Sequence, residues 1–169
     1  HDDAACWQRA NQVAPYLQPN FATRGAGISD AAPHEGGNYP YPILTTLATQ
    51  DEGLVYALTE AIDLGYDQFK GADPGSMGWQ MGRQKFQWLV PYHDGAIAYF
   101  KSLGLWSTPM QDHQQRLIRR QAVLAEAWTA FVAIKGADTD DREAWDAEWM
   151  LLRARHLTAA GFDPVWSTK

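Results

Sequence analysis

Two segments decide how this chain is organised: Leu54-Val55-Tyr56-Ala57-Leu58-Thr59-Glu60-Ala61-Ile62, and Val90-Pro91-Tyr92-His93-Asp94-Gly95-Ala96-Ile97-Ala98-Tyr99-Phe100-Lys101-Ser102-Leu103-Gly104-Leu105-Trp106. In the first, Leu54, Val55, Leu58 and Ile62, with Tyr66 beyond them, form an amphipathic helical stripe. Asp51 and Glu52 stand just ahead of it, where the positive end of a helix favours acidic groups. In the second, a helix is predicted over 94–103, with Ile97, Tyr99, Phe100 and Leu103 as its apolar positions and Gly104 as its stop. His93-Asp94 opens that helix, where a polar side chain caps free N–H groups.

Upstream, Ala4, Trp7, Ala10 and Val13 sit three apart and predict a helix within 2–14, stopped by Pro15. A strand broken by Pro19 is expected over 17–24. Residues 25–42, rich in Gly, Pro, Asn and Asp, read as an extended loop with a turn at Gly36-Gly37-Asn38. Residues 43–48 are short, β-branched and apolar, and read as a buried strand. A break at Gly71-Ala72-Asp73-Pro74-Gly75 leads to a short helix within 77–86.

The tail from Pro109 differs in kind. Met110, Leu117, Leu124, Trp128 and Phe131 recur at spacings of seven and then three or four. Gly136 interrupts them, and a second helix starting in 138–141 carries Trp145, Trp149, Leu152, His156 and Ala160 on one face. Two helices on a short loop make an antiparallel hairpin, with Trp128, Trp145 and Trp149 expected largely buried and His156 a core histidine. Arg116, Arg119, Arg120, Glu143 and Arg153 fall on its exposed faces. The domain division is 1–106, an incomplete α/β lobe, and 107–169, the helical hairpin extension.

With 169 residues and 46% hydrophobic content, the chain can bury a core. A net charge of −6, with no basic patch beyond Arg116, Arg119 and Arg120, argues against nucleic acid as a partner. Cys6 is the single cysteine, so no internal disulfide forms, and it reads as a small buried residue rather than a nucleophile. His34, His93 and His113 have neither H-E-x-x-H spacing nor helical pairing with a Glu, and no metal site or cofactor is expected. The chain lacks a nucleophile elbow, a P-loop and a dinucleotide fingerprint, so it is expected to carry no catalytic residue and not to be an enzyme. No signal peptide is present and residue one is His, so the chain is expected to be a processed product or part of something longer.

The loop Gly37-Asn38-Tyr39-Pro40 has two readings. Turn chemistry alone accounts for its Gly and Pro. Alternatively it is a hinge or cleft loop whose backbone N–H groups and tyrosines face a ligand.

The order of these signals resembles the closing part of TRAP-transporter solute receptors of the TAXI type. It runs from Ala14-Pro15-Tyr16-Leu17 through Gly37-Asn38-Tyr39-Pro40 and Ile43-Leu44-Thr45-Thr46-Leu47-Ala48 to the helix at 54–62. It closes with Pro91-Tyr92-His93-Asp94-Gly95-Ala96 leading into Tyr99-Phe100, where related receptors commonly read H-P-G-A. The resemblance covers roughly 14–106. It implies an α/β fold, the C-terminal portion of a two-lobed periplasmic-binding-protein-like receptor, to which the hairpin is added. It further implies periplasmic localisation and non-covalent capture of a small organic anion of the amino or keto dicarboxylate type. It also implies a membrane permease subunit, or another membrane complex, as partner. Such receptors are about twice this length, which implies a missing N-terminal half. Gly37, Asn38, Tyr39 and Pro40 match the position of a cleft or hinge loop and are the ligand-binding residues this resemblance assigns. The competing expectation is a receptor-derived structural or adaptor subunit that docks on a larger, possibly membrane, assembly and binds no ligand. Whether further chain precedes His1 separates the two.

Overall fold

The computed structural model describes residues 2–136 and 140–164. It is mixed α/β and helix-rich, with one two-stranded sheet among the described residues. Helix α1, Ala4–Val13, starts on Asp3, whose carboxylate accepts the Cys6 N–H at 2.8 Å. Cys6 is exposed on this helix, not buried as expected, because its turn faces away from the sheet that Trp7 covers. The Asn11 amide donates to the carbonyls of Ala14 and Leu17 and turns the chain into strand β1, Gln18–Ala22.

Strand β2, His34–Asn38, pairs antiparallel with β1, in a register that sets Pro19 opposite Gly37 and Ala22 opposite His34. A turn was expected at Gly36-Gly37-Asn38, yet the segment is strand. Gly37 lies beneath Trp7 and Leu17, which pack over the strand there at ordinary contact distance, 3.4 and 3.6 Å from where a Cβ would stand. Pro19 is tolerated because a two-stranded sheet is all edge.

The strand expected at 43–48 does not form, and its side chains are not buried. Ile43, Leu44 and Leu47 are exposed. Pro40 and Pro42 remove N–H donors just ahead of it, and the segment runs along a cleft instead of joining the sheet.

Helix α2, Glu52–Leu64, is capped by the Asp51 carboxylate on the Leu54 N–H at 2.8 Å. A single turn, α3, Tyr66–Phe69, follows. Residues 77–86 hold no α-helix. Two 3₁₀ turns, Pro74–Trp79 and Met81–Arg83, take their place, because Pro and three glycines favour tight turns over a continuous helix.

Helix α4, Asp94–Ser102, is capped by His93. It crosses α2 at Gly95, where a Cβ would overlap the Glu52 carbonyl, so the two backbones nearly touch. Val55, Ala96, Tyr99 and Phe100 form the core beneath that crossing, with Phe86, Tyr92 and Trp106 against it. Phe86 and Phe100 meet edge-on at 4.9 Å, and Tyr92 and Phe100 at 5.4 Å.

Helices α5, Thr108–Lys135, and α6, Arg142–Ala159, run antiparallel. Trp145 donates to the Gly136 carbonyl at one end, and Arg119 reaches the Ala160 carbonyl at the other. Asp141 caps α6 through the Ala144 N–H. Residues 138 and 139, part of the expected helix start, lie outside the described residues. The seam is aromatic: Phe131 and Trp145 are buried, with ring centres 4.8 Å apart. Trp149 is half-buried and Trp128 is 42% exposed, so the expected burial of all three tryptophans holds only for Trp145. Trp128 lies on the outer edge of the cluster because two helices cover only one side of it. His156 is half-buried rather than core.

Arg120, expected on the surface, is buried. Burial and the nearby Arg153 lower its pKa, and Asp163 partly opposes this.

Hydrogen bonds cross from 87–92 to the start of α5. The Gln114 amide accepts the Tyr92 N–H at 2.9 Å and donates to the Tyr92 carbonyl at 2.7 Å. His113 contacts the Trp88 carbonyl. Among the described residues no helix is long and apolar enough to cross a membrane.

Candidate functional site

A cleft of about 590 Å³ opens between three walls: the segment after β2, one face of α2, and the irregular chain over 78–93. The first wall begins where Asn38 ends its strand. Its side-chain oxygen accepts the Tyr39 N–H at 2.8 Å, which bends the chain away from the sheet. Tyr41 then lies against Gly75 and Gly78. A Cβ at Gly78 would overlap the Tyr41 carbonyl and the Pro42 ring, so this wall is fixed by a glycine approach.

The second wall is the Leu54, Leu58 and Ile62 stripe of α2. The helix has two apolar faces. Val55 packs on α4 and is buried where the cleft meets the core, whereas Leu54 and Leu58 line the cleft and are 56% and 45% exposed. Ile43 and Leu44 line the same cleft from the first wall.

The third wall carries Arg83, Lys85, Trp88 and Tyr92. Gln84 holds it in shape by donating to the carbonyls of Gly78 and Gln80 at 3.1 and 3.2 Å. Trp88 donates its indole N–H to the Tyr16 carbonyl at 3.1 Å, tying this wall to the residues that lead into β1. Burial pushes the Tyr92 phenol up to about 12, so its hydroxyl stays neutral and able to donate at ordinary pH.

His93 sits at the junction of two walls. Its Nδ1 accepts the Gly95 N–H at 3.1 Å, so the proton of the neutral ring lies on Nε2 and faces the Gln50 carbonyl at 3.1 Å. Both ring nitrogens are thus engaged in joining the entries to α2 and α4, as capping requires.

Of the four loop residues singled out from the sequence, Asn38, Tyr39 and Pro40 line the cleft. Gly37 does not: it belongs to β2, under Trp7 and Leu17. Arg83, Lys85 and the Leu54–Leu58 pair are among the lining residues that sequence reasoning did not assign to a site. The leucines carried a signal, an amphipathic helical stripe, but its period does not say whether it faces a core or a cleft. Arg83 and Lys85 carried none, because single cations in an irregular segment have no periodicity. Among the described residues, no three His, Cys, Asp or Glu side chains cluster as a metal ion would need. What the cleft offers chemically is apolar wall, neutral amides and hydroxyls, the cations Arg83 and Lys85 on one side, and the carboxylate of Asp63 on α2.

No protein-family model matches this chain, and neither a curated protein nor a solved structure matches it.

Proposed function

We propose that this chain captures a small organic anion non-covalently, as the solute-binding part of a TRAP-type uptake system. The observation that carries the reading is the cleft itself. It has the volume and mainly apolar lining of a small-molecule site, with Arg83 and Lys85 to hold an anion. The loop that the TAXI resemblance assigns to a cleft contributes Asn38, Tyr39 and Pro40 to it. The pattern from 14 to 106 supports a C-terminal portion of a two-lobed periplasmic-type receptor that delivers its guest to a membrane permease.

Capture of this kind needs no bond-making group. Water leaves the apolar walls, the anion meets Arg83 and Lys85, and neutral donors such as the Tyr92 hydroxyl and the Asn38 amide orient it. Titration calorimetry against a panel of small carboxylates tests this. At least one should bind with micromolar affinity. Replacing both Arg83 and Lys85 by Gln should weaken it about tenfold or more, in proportion to one lost charge-assisted contact. A panel with no binder, or a binder indifferent to both cations, refutes the reading.

A second reading, a receptor-derived adaptor docking on a larger assembly, draws on Met150 and Leu151. These adjacent apolar residues of α6 are 53% and 60% exposed. Co-purification with membrane subunits, combined with an empty calorimetric panel, would favour it.

A further inference from the structure

We infer that the anion this cleft takes is a monocarboxylate with a bulky apolar body, branched aliphatic or aromatic, rather than a compact dicarboxylate. The inference rests on the capture reading and specifies its guest.

Charge is the first argument. The cleft lining includes two permanent cations, Arg83 and Lys85, and one carboxylate, Asp63. The cations are two residues apart on a single wall. Asp63 lies on α2, where it accepts the Tyr99 hydroxyl at 2.7 Å. The balance of one positive charge suits one carboxylate. A second carboxylate extending from the first would leave the cationic wall for a region of leucines or for Asp63. Against the leucines it would lose water and gain no partner in exchange, and Asp63 would repel it.

Surface is the second argument. Ile43, Leu44, Leu54 and Leu58 all line the cleft, and each leaves between 44% and 56% of its surface to solvent. Apolar side chains from two separate elements therefore face one space without filling it. A dicarboxylate would turn a second charged end toward this surface. An isobutyl or phenyl body would set apolar atoms against it and remove part of it from water.

Three 2-oxo acids with the same head test this on the full chain by calorimetry: 4-methyl-2-oxopentanoate, phenylpyruvate and 2-oxoglutarate. One of the first two should bind at least about tenfold tighter than 2-oxoglutarate, with a negative heat-capacity change. The double variant Leu54→Gln/Leu58→Gln should lose that preference. Both leucines are half-exposed and glutamine is a good helix former, so the fold should survive, as a melting curve would show. If that variant melts early, Ile43→Gln/Leu44→Gln, which lies outside any helix, makes the same test from the opposite wall. If 2-oxoglutarate binds as tightly or more tightly, the inference about the guest is overturned while anion capture stands. If none of the three binds at millimolar concentration, both fall. A preference that survives both double variants also overturns it, since the apolar walls would then not be the source.

Discussion

The Tyr99 hydroxyl of α4 donates to the Asp63 carboxylate of α2 at 2.7 Å, from a residue that is itself only 3% exposed. The bond fastens the end of the helix that walls the cleft to the helix that carries the core. Tyr99→Phe removes it with little change in packing and should cost about 1.5 kcal/mol. The same residue gives stability a dependence on alkaline pH. Burial first, and the Asp63 bond second, raise the Tyr99 phenol from its ordinary 10.0 to about 12. An unfolded tyrosine loses its proton near 10, while the folded one keeps it. The stabilisation is therefore whole below pH 10 and disappears as pH rises through 12. Urea melts taken between pH 9 and 12 should show the steeper decline in the parent chain and a shallower one in Tyr99→Phe.

Gly78 holds the Tyr41–Pro42 wall by absence of a side chain. Gly78→Ala places a methyl group into the Tyr41 carbonyl and the Pro42 ring, neither of which is a flexible side-chain end. The wall must move, at about 1–3 kcal/mol, and ligand affinity should fall with it. Gly82→Ala, a few residues away in the same lining, meets nothing within 4 Å and should change stability by less than about 0.5 kcal/mol. Equal effects of the two substitutions would show that the loop is not clamped at Gly78.

Gln114 imitates a neighbouring strand for Tyr92. It is 3% exposed, and its amide satisfies both the N–H and the carbonyl of that residue. Gln114→Leu keeps the volume and leaves two part-buried backbone groups without their partner, at about 2–4 kcal/mol together. For a chain of this size the melting midpoint should drop by roughly 10 °C. Because Tyr92 also lines the cleft, the substitution should weaken ligand binding from a helix that contributes no lining residue.

How far these features were legible in the sequence follows from the kind of signal each one leaves. Helices α2, α4, α5 and α6 announce themselves through periodic stripes, and Asp51, His93 and Asp141 cap them as their positions suggest. Strand β1 is legible despite Pro19. Strand β2 is not, because Gly36 and Gly37 have the composition of a turn, and the Trp7 ring that packs over Gly37 is remote in sequence. Residues 43–48 look like a buried strand because apolar content does not distinguish a core from a cleft wall. The same ambiguity hides Leu54 and Leu58, whose stripe has the right period but names no destination. Asn38, Tyr39 and Pro40 were singled out through the family resemblance, since turn chemistry alone also accounts for the loop, whereas Arg83 and Lys85 acquire a role only once the chain folds around them.

The seam of the hairpin sets Trp128 and Trp145 against each other as a contrast between two exposures of one residue type. Their rings meet edge-on at 5.5 Å, yet Trp145 is 6% exposed and Trp128 is 42% exposed. Trp145 also packs on Phe131 and donates to the Gly136 carbonyl that ends α5. Trp145→Ala therefore opens a cavity and removes that hydrogen bond, and should cost about 3–5 kcal/mol. Trp128→Ala should cost less than about 2 kcal/mol, mostly the edge-to-face contact and partial area burial. Paired denaturation curves decide the matter. Equal losses would place Trp128 in a closed environment, as a partner covering this face of the hairpin would provide.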